Sequence, residues 1–252
     1  MRLVDTHTHL EDVENLDEAL TRAEEAGIIA VIAMGSDYET NRWVLEESLK
    51  HERNRLKIYQ AVGLHPMGLD MSQIDETFRL IEENIDKAVA IGEIGLDYWY
   101  KDARKDIGKK ERQRELFRRL LELAKKKNKP VSIHSRGAWT DCVNTTIELG
   151  VVKAIFHWFS GPLDVLKKLL DHGYYVSATP AVAYSKEHKA VIENTPLDNL
   201  VLETDSPVAY AGETSEPSHI VKALSAVAKI KTEREEMVAE ITTENARTVF
   251  KI

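Results

Sequence analysis

Val4-Asp5-Thr6-His7-Thr8-His9-Leu10 opens the chain with an apolar entry followed by two histidines one residue apart. The stretch reads as the first strand of a barrel that ends in a metal site. On a strand alternate side chains share a face, so His7 and His9 point the same way and Thr8 the other. Imidazole is the commonest protein ligand for zinc and its neighbours, and two on one face can grip one ion. Nine histidines in 252 residues would supply a His-x-His by chance roughly 0.3 times. The pair therefore gains meaning only if further ligands join it.

Outward from this stretch, short β-branched runs recur at 3–10, 28–35, 56–66, 88–97, 130–136, 152–158, 174–180 and 200–207. Helix-period segments separate them, clearest at Leu16/Leu20/Ala23 before Gly27 and at Leu116/Phe117/Leu120/Leu121/Ala124. Others cover 37–51, 72–87, 138–149, 163–172, 186–193 and 218–228, and the tail over 232–241 and 243–250 predicts one or two further helices. Eight strand-helix units in 252 residues point to an α/β fold, a single (β/α)8 TIM barrel with extra C-terminal helices. No repeat or Pro/Gly/Ser linker interrupts the chain, so residues 1–252 are expected to form one domain.

In such barrels the reactive groups project from the C-terminal ends of the strands. Those ends carry His7 and His9, His65, Glu93 and Asp97, His134, His157 and Asp205. Five of the nine histidines fall at such ends, a rim that scattered histidines have no reason to prefer; His51, His172, His188 and His219 fall on helices or loops and read as surface or capping residues. His7, His9, His134, His157, Glu93 and Asp205 together offer neutral nitrogen donors and bridging, charge-offsetting carboxylates, which is what two cations require. Gly92 and Gly95 flank Glu93; glycine inside a strand marks a close approach of ligand or backbone.

With these residues in place the chain resembles the TatD family of metal-dependent hydrolases in the amidohydrolase superfamily. The resemblance runs from end to end: 4–10, Val62-Gly63-Leu64-His65-Pro66, Gly92-Glu93-Ile94-Gly95-Leu96-Asp97-Tyr98, Gln113 with Phe117, Pro130 through Ile133-His134-Ser135-Arg136, Phe156-His157-Trp158-Phe159-Ser160-Gly161, Glu203-Thr204-Asp205-Ser206-Pro207 and Thr243-Glu244-Asn245-Ala246. It implies a barrel with two divalent metal ions (Zn, Mn, Mg, Co or Ni), one held by His7, His9, Glu93 and Asp205, the other by Glu93, His134 and His157. The fourth strand offers Glu93 where other branches of the superfamily bridge with a carbamylated lysine, which favours the TatD branch. The implied activity is a deoxyribonuclease, 3′-5′ exonuclease-like, cleaving phosphodiesters with a metal-bridged hydroxide while Asp205 orients that water or takes its proton. Two departures stand out. Relatives commonly carry Arg and then Asn-Glu-Pro after the strand-eight end, whereas 208–217 has no arginine and places Ser215 at the asparagine. Trp158 stands where many relatives have a small residue.

A formal charge of −8 argues against a protein that coats DNA through bulk electrostatics; the resemblance implies nucleic acid as a substrate instead, at DNA ends. His65 and Arg136 are candidate phosphate contacts, Asp97 a further substrate contact, and Tyr98, Trp99 and Tyr100 candidates to stack a terminal base. The run 101–129 holds thirteen Lys or Arg against five acids. It reads as a solvated helix face whose first part, 101–114, continues the rim and could take a strand's backbone. No apolar run approaches the ~20 residues of a membrane helix, and with one cysteine, Cys142, and no apolar leader the setting is expected to be cytoplasmic. Two rival readings remain: a metal-dependent ester or amide hydrolase such as a D-aminoacyl-tRNA deacylase or lactonase-like enzyme, and a non-catalytic metal-binding scaffold.

Overall fold

Each of the eight apolar runs becomes a strand in the computed structural model, which describes residues 1–67 and 72–252. They are β1 (Leu3–Thr8), β2 (Ile28–Met34), β3 (Lys57–Leu64), β4 (Ala90–Gly95), β5 (Val131–His134), β6 (Ala154–Phe156), β7 (Tyr175–Ala178) and β8 (Leu200–Leu202). All pair in parallel and in sequence order. The seam closes where His9 N–H donates to Ser206 O (2.8 Å) and Asp205 N–H to His7 O (2.9 Å), beside a Thr8–Ser206 bridge. The chain is a (β/α)8 barrel, and closure brings positions 7 and 205 side by side.

Helices α1 (Leu16–Glu25), α2 (Tyr38–Glu46), α3 (Ile74–Asn84), α4 (Lys101–Arg104), α5 (Ile107–Lys127), α6 (Trp139–Leu149), α7 (Leu163–Asp171), α8 (Lys186–Asn194), α9 (Ile220–Lys231) and α10 (Glu235–Phe250) occupy the crossovers and the tail. Parallel strands covered on both faces read as continuous apolar runs, and β1 and β4 are buried at every position. Inside the barrel, Val4, Ala30, Ile32, Met34, Ala61, Ala90, Ile155 and Val201 form one cluster with Ala246, Val249 and Phe250 of α10. The outer strand faces, including Val31, Val62, Ile91, Ile94 and Ile133, pack against helix stripes such as Leu116, Phe117, Leu120 and Leu121.

Local chemistry sets the helix ends. Asp37 caps α2 by accepting from Thr40 N–H (2.8 Å) while Thr40 Oγ1 accepts from Asp37 N–H (2.9 Å), a reciprocal capping box that fixes where the helix begins. Asp106 caps α5 through Lys109 N–H (3.0 Å). The cations of α5 mostly serve its outer face: Arg114 pairs with Asp141 (3.0 Å) and Arg118 with Glu148 (2.9 Å) of α6, and the Arg119 guanidinium lies over Phe78 (3.9 Å).

Several bounds differ from the expected ones. The helix expected over 37–51 stops at Glu46 and continues as a short 3-10 turn, Ser48–His51. Strand eight ends at Leu202 rather than Pro207, because Asp205 takes a left-handed backbone (φ 50°) and Thr204 turns inward to Asp5. The tail is one helix from Glu235, its Thr242 and Thr243 accommodated by hydroxyls that donate to Val238 O and Arg2 O (2.8 Å each). The loop 208–217 is a hairpin of β9 (Ala209–Tyr210) and β10 (Glu213–Thr214). Its two central residues, Ala211 (φ 51°) and Gly212 (φ 88°), both lie at positive φ, as a two-residue hairpin turn demands.

His188 is not the surface or capping residue expected. It is fully buried between α8 and the turn after β7, where Nε2 accepts from Thr179 N–H (3.2 Å) and Nδ1 donates to Phe159 O (3.0 Å). Burial pushes its pKa down to about 4. Below about pH 6.5 the unfolded chain binds a proton that the folded one refuses, so this group's stability is intact above that pH and is lost as pH falls toward 4. The loss is on the order of 3 kcal/mol. Urea unfolding at pH 7, 5.5 and 4.5 should show a shallower acid loss in His188→Gln than in the wild-type protein; equal slopes would mean that His188 is not the titrating group.

Candidate active site

The outward residues Ile91 and Ile94 of β4 are separated by two residues, Gly92 and Glu93, where a regular strand has one. The register with β3 and with β5 shifts across this point, and an extra residue re-aims a side chain. It turns Glu93 into the barrel mouth. A second irregularity lies in β1 between Asp5 and Thr8, where His7 and His9 enter.

Glu93 is 4% exposed and each carboxylate oxygen faces a different set of donors. Oε2 lies 3.5 Å from His7 Nε2 and 3.4 Å from His9 Nε2, with Asp205 Oδ1 3.6 and 3.7 Å from the same two nitrogens. The two nitrogens are themselves 3.3 Å apart. Oε1 lies 3.0 Å from His134 Nδ1, 3.0 Å from His157 Nε2 and 3.5 Å from His65 Nε2. Nitrogens and carboxylate oxygens that converge in this way fit a cation better than one another. A zinc site with arms of 2.0–2.1 Å has donor–donor edges of about 3.3 Å when tetrahedral and about 3.0 Å when octahedral. The observed 3.0–3.7 Å fits both geometries, so the spacing suits a divalent ion without choosing one.

The electrostatics ask for positive charge. Burial alone would raise the Glu93 carboxyl, but His65, His157, His7 and the hydrogen bond with His134 outweigh it and hold Glu93 well below the usual carboxylate range. Burial would likewise lower His157, yet Glu93 and Glu203 hold it well above the ordinary imidazole value.

A second layer fixes the rings. Ser132 Oγ lies 3.1 Å from His7 Nδ1, Asp97 Oδ2 2.8 Å from His134 Nε2, and Glu203 Oε1 3.2 Å from His157 Nδ1. Such outer partners set tautomer and ring orientation. Glu203 also accepts from Trp158 N–H (3.0 Å), which ties the strand-six end to strand eight. Ser132 and Glu203 were not expected at the site; Ser132 could have been found two residues before His134, on the same strand face.

The structure gathers His7, His9, Glu93, His134, His157 and Asp205 at one end of the barrel and adds His65, expected to touch phosphate, to the donors around Glu93 Oε1. Asp97 is corrected. It is fully buried, and its carboxylate is taken up by His134 and by the N–H groups of Trp99 (2.8 Å) and Tyr100 (3.1 Å), so it backs the His134 ring and is not among the residues that line the cavity. Tyr98 is corrected too: its hydroxyl bonds to Asp141 (3.1 Å), and Lys110 and Arg114 cover its ring, which turns it toward the helices. Gly92 and Gly95 serve packing, since a Cβ at Gly92 would meet Ser132 Cβ at 2.8 Å and one at Gly95 would meet His134 O at 1.9 Å.

The donors open into a cavity of about 610 Å³ whose wall includes Tyr100, Arg136, Trp139, Trp158 and Val208. Arg136 reaches over the rings of Trp99 (5.7 Å) and Tyr100 (5.6 Å), and Arg104 over Trp99 (5.7 Å). No carboxylate pairs with Arg136 or Arg104 among the described residues. The Lys101 side chain, counted in the basic rim, lies outside the described residues. Trp158 takes a left-handed backbone (φ 41°), sets its ring 5.4 Å from Tyr210 and lines the cavity. Just after the hairpin, Glu216 is held by Arg22 of α1 at 2.6 Å.

No helix among the described residues is long and apolar enough to cross a membrane. The family model of TatD related DNase matches residues 4–251. The uncharacterized metal-dependent hydrolase YabD of Bacillus subtilis is 34% identical to the chain, over 99% of both proteins. Deoxyribonuclease TATDN3 of Homo sapiens is 31% identical over 98% of this chain and 94% of that one. Among solved structures, YJJV, a TatD homolog from Escherichia coli, superposes with a TM-score of 0.87 at 27% identity, covering 99% and 98% of the two chains. A barrel with this donor constellation, matched along its whole length by these proteins, places the chain in the TatD family of metal-dependent hydrolases.

Proposed function

We propose that the chain is a deoxyribonuclease that hydrolyses phosphodiesters at DNA ends with two divalent cations. His7, His9, Glu93 and Asp205 would hold one, and Glu93, His134, His157 and His65 the other. The observation that carries this reading is the Glu93 carboxylate, which lies between two donor sets and gives one oxygen to each. When bound, such ions supply charge to offset that building on phosphoryl oxygens and lower the pKa of water from 15.7 toward about 7.

The protein's own residues do the rest. Asp205 lies at the cavity wall beside His7 and His9, placed to orient the attacking water and accept its proton. Arg136, with no competing carboxylate among the described residues, presents its guanidinium to a phosphate bidentately. Trp99, 55% exposed, and Tyr100, 45% exposed, offer ring faces on which unstacked bases can lie. Trp139 and Trp158 wall the cavity and keep bulk water from the reacting atoms. The human relative's name, Deoxyribonuclease TATDN3, supports DNA as the polymer.

A panel of end-labelled single- and double-stranded DNA, RNA and simple esters, each with added Zn, Mn, Mg, Co or Ni, tests the reading. Release of labelled nucleotides from DNA is the expected result, and the position of the label gives the polarity. Turnover of esters alone would replace this reading with the ester or amide hydrolase. Arg136→Ala should weaken oligonucleotide binding and lower the slope of log affinity against log salt by about 0.7 for a single strand. An unchanged slope would remove Arg136 from the phosphate path.

A further inference from the structure

Four of the five rim histidines have the nitrogen that turns away from Glu93 in a hydrogen bond: His7 with Ser132, His134 with Asp97, His157 with Glu203, and His65 Nδ1, which accepts from Met67 N–H (3.2 Å). His9 differs. Its Nε2 faces His7, Glu93 and Asp205, while its Nδ1 lies 3.7 Å from Glu11 Oε1, just beyond hydrogen-bond reach. Glu11 sits in the short 3-10 turn Leu10–Asp12 that starts directly after His9. Its side chain is 8% exposed, and both carboxylate oxygens are buried without a hydrogen-bond partner among the described residues. A buried carboxylate without a donor is destabilising. No fold requirement explains it, because the turn is made by backbone and Leu10 alone enters the core.

We propose that Glu11 is a positioning residue that holds His9 through Nδ1–H and sets the cation affinity of the His7, His9, Glu93 and Asp205 donors. The inference rests on the two-cation reading above. If Nε2 of His9 is the ligating nitrogen, Nδ1 carries the proton and points it at Glu11. A ring rotation that closes less than 1 Å then gives a charge-assisted hydrogen bond. That bond fixes the tautomer and raises the basicity of Nε2. Three rim rings are then backed by carboxylates, His9 by Glu11, His134 by Asp97 and His157 by Glu203, while His7 is backed by a hydroxyl.

The test uses the full chain carrying Glu11→Ala or Glu11→Gln, with Zn²⁺ and Mn²⁺ affinities measured by chelator competition. Glu11→Ala should weaken one of the two ions by 10- to 100-fold, and Glu11→Gln by less, since its amide oxygen can still accept. Thermal unfolding of the metal-free variants should be unchanged or raised, because the orphaned carboxylate is gone. In the zinc-loaded protein the His9 Nδ1 proton should move upfield and exchange faster in Glu11→Ala, with the other rim histidines unmoved. Affinity within about twofold of wild type, or an affinity loss accompanied by a lower metal-free melting temperature, would overturn the inference. His9→Ala, run alongside, separates the two failures: if it binds both ions as wild type does, the donor reading falls and the role of Glu11 with it. If His9→Ala loses affinity and Glu11→Ala does not, only the inference falls.

Discussion

On the proposed two-cation deoxyribonuclease reading, Glu93→Gln should bind at most one divalent ion where the wild-type protein binds two, and should turn over DNA at least about 10³-fold more slowly. Glutamine keeps the shape of the side chain but has a single acceptor oxygen. It can serve the His7 and His9 side or the His134 and His157 side, and never both. The change also removes the negative charge at which five imidazoles converge. Charge stabilisation by bound metal is worth several kcal/mol, and each 1.36 kcal/mol is tenfold in rate, so about 4 kcal/mol accounts for the expected loss. Metal analysis of dialysed protein and single-turnover kinetics measure the two parts separately. A variant with two ions and the wild-type rate would end the bridging role.

Gly95→Ala should be the most damaging single methyl that can be added near the site. The new Cβ would stand 1.9 Å from His134 O and 2.8 Å from its carbonyl carbon, at a backbone φ of 149°. A Cβ has no rotamer with which to escape, and the atoms it meets are backbone. To make room, β4 and β5 must part, which breaks the hydrogen bond from Leu96 N–H to His134 O (3.0 Å) and moves Glu93 and His134 together. The cost should exceed about 4 kcal/mol, the range reserved for named structural failures, and lower the melting temperature by roughly 10 °C or more. Gly150→Ala is the control: φ is 68°, but the nearest atom is the end of the Lys125 side chain at 3.5 Å, and about 1 kcal/mol is expected. Similar melting temperatures for the two variants would show that the β4–β5 approach is not what Gly95 protects.

The barrel was legible because eight buried strands leave eight apolar runs, and the rim because histidines cluster where those runs stop. His134 and His157 follow their strands with ordinary alternation, so their convergence on Glu93 was readable. What sequence could not carry is the aim of a side chain where the strand departs from its period. Glu93 is re-aimed by an extra residue between Ile91 and Ile94, and no pattern of residue types announces that shift. Asp97 and Tyr98 lie just past the same irregularity, and both proved to face the protein. His65 looked like a substrate contact because it stands alone on its strand end; only the distance to Glu93 Oε1 groups it with the donors. His188 was read from its helix, whereas the turn that buries it comes from the preceding crossover.

The closure of the barrel has a thermodynamic consequence. Strands β1 and β8 meet through a short seam, and the residues proposed to share an ion across it, His7 and His9 on one side and Asp205 on the other, are brought together only when that seam is shut. The unfolded chain has no comparable site, so on the proposed reading each ion binds the native state alone and pulls the folding equilibrium by mass action. At a free concentration one hundred times its dissociation constant, an ion adds about 2.7 kcal/mol, comparable to a disulfide in a chain that has only one cysteine. The supply of divalent ions would then govern how long the molecule survives heat and proteolysis, apart from whether it is catalysing anything.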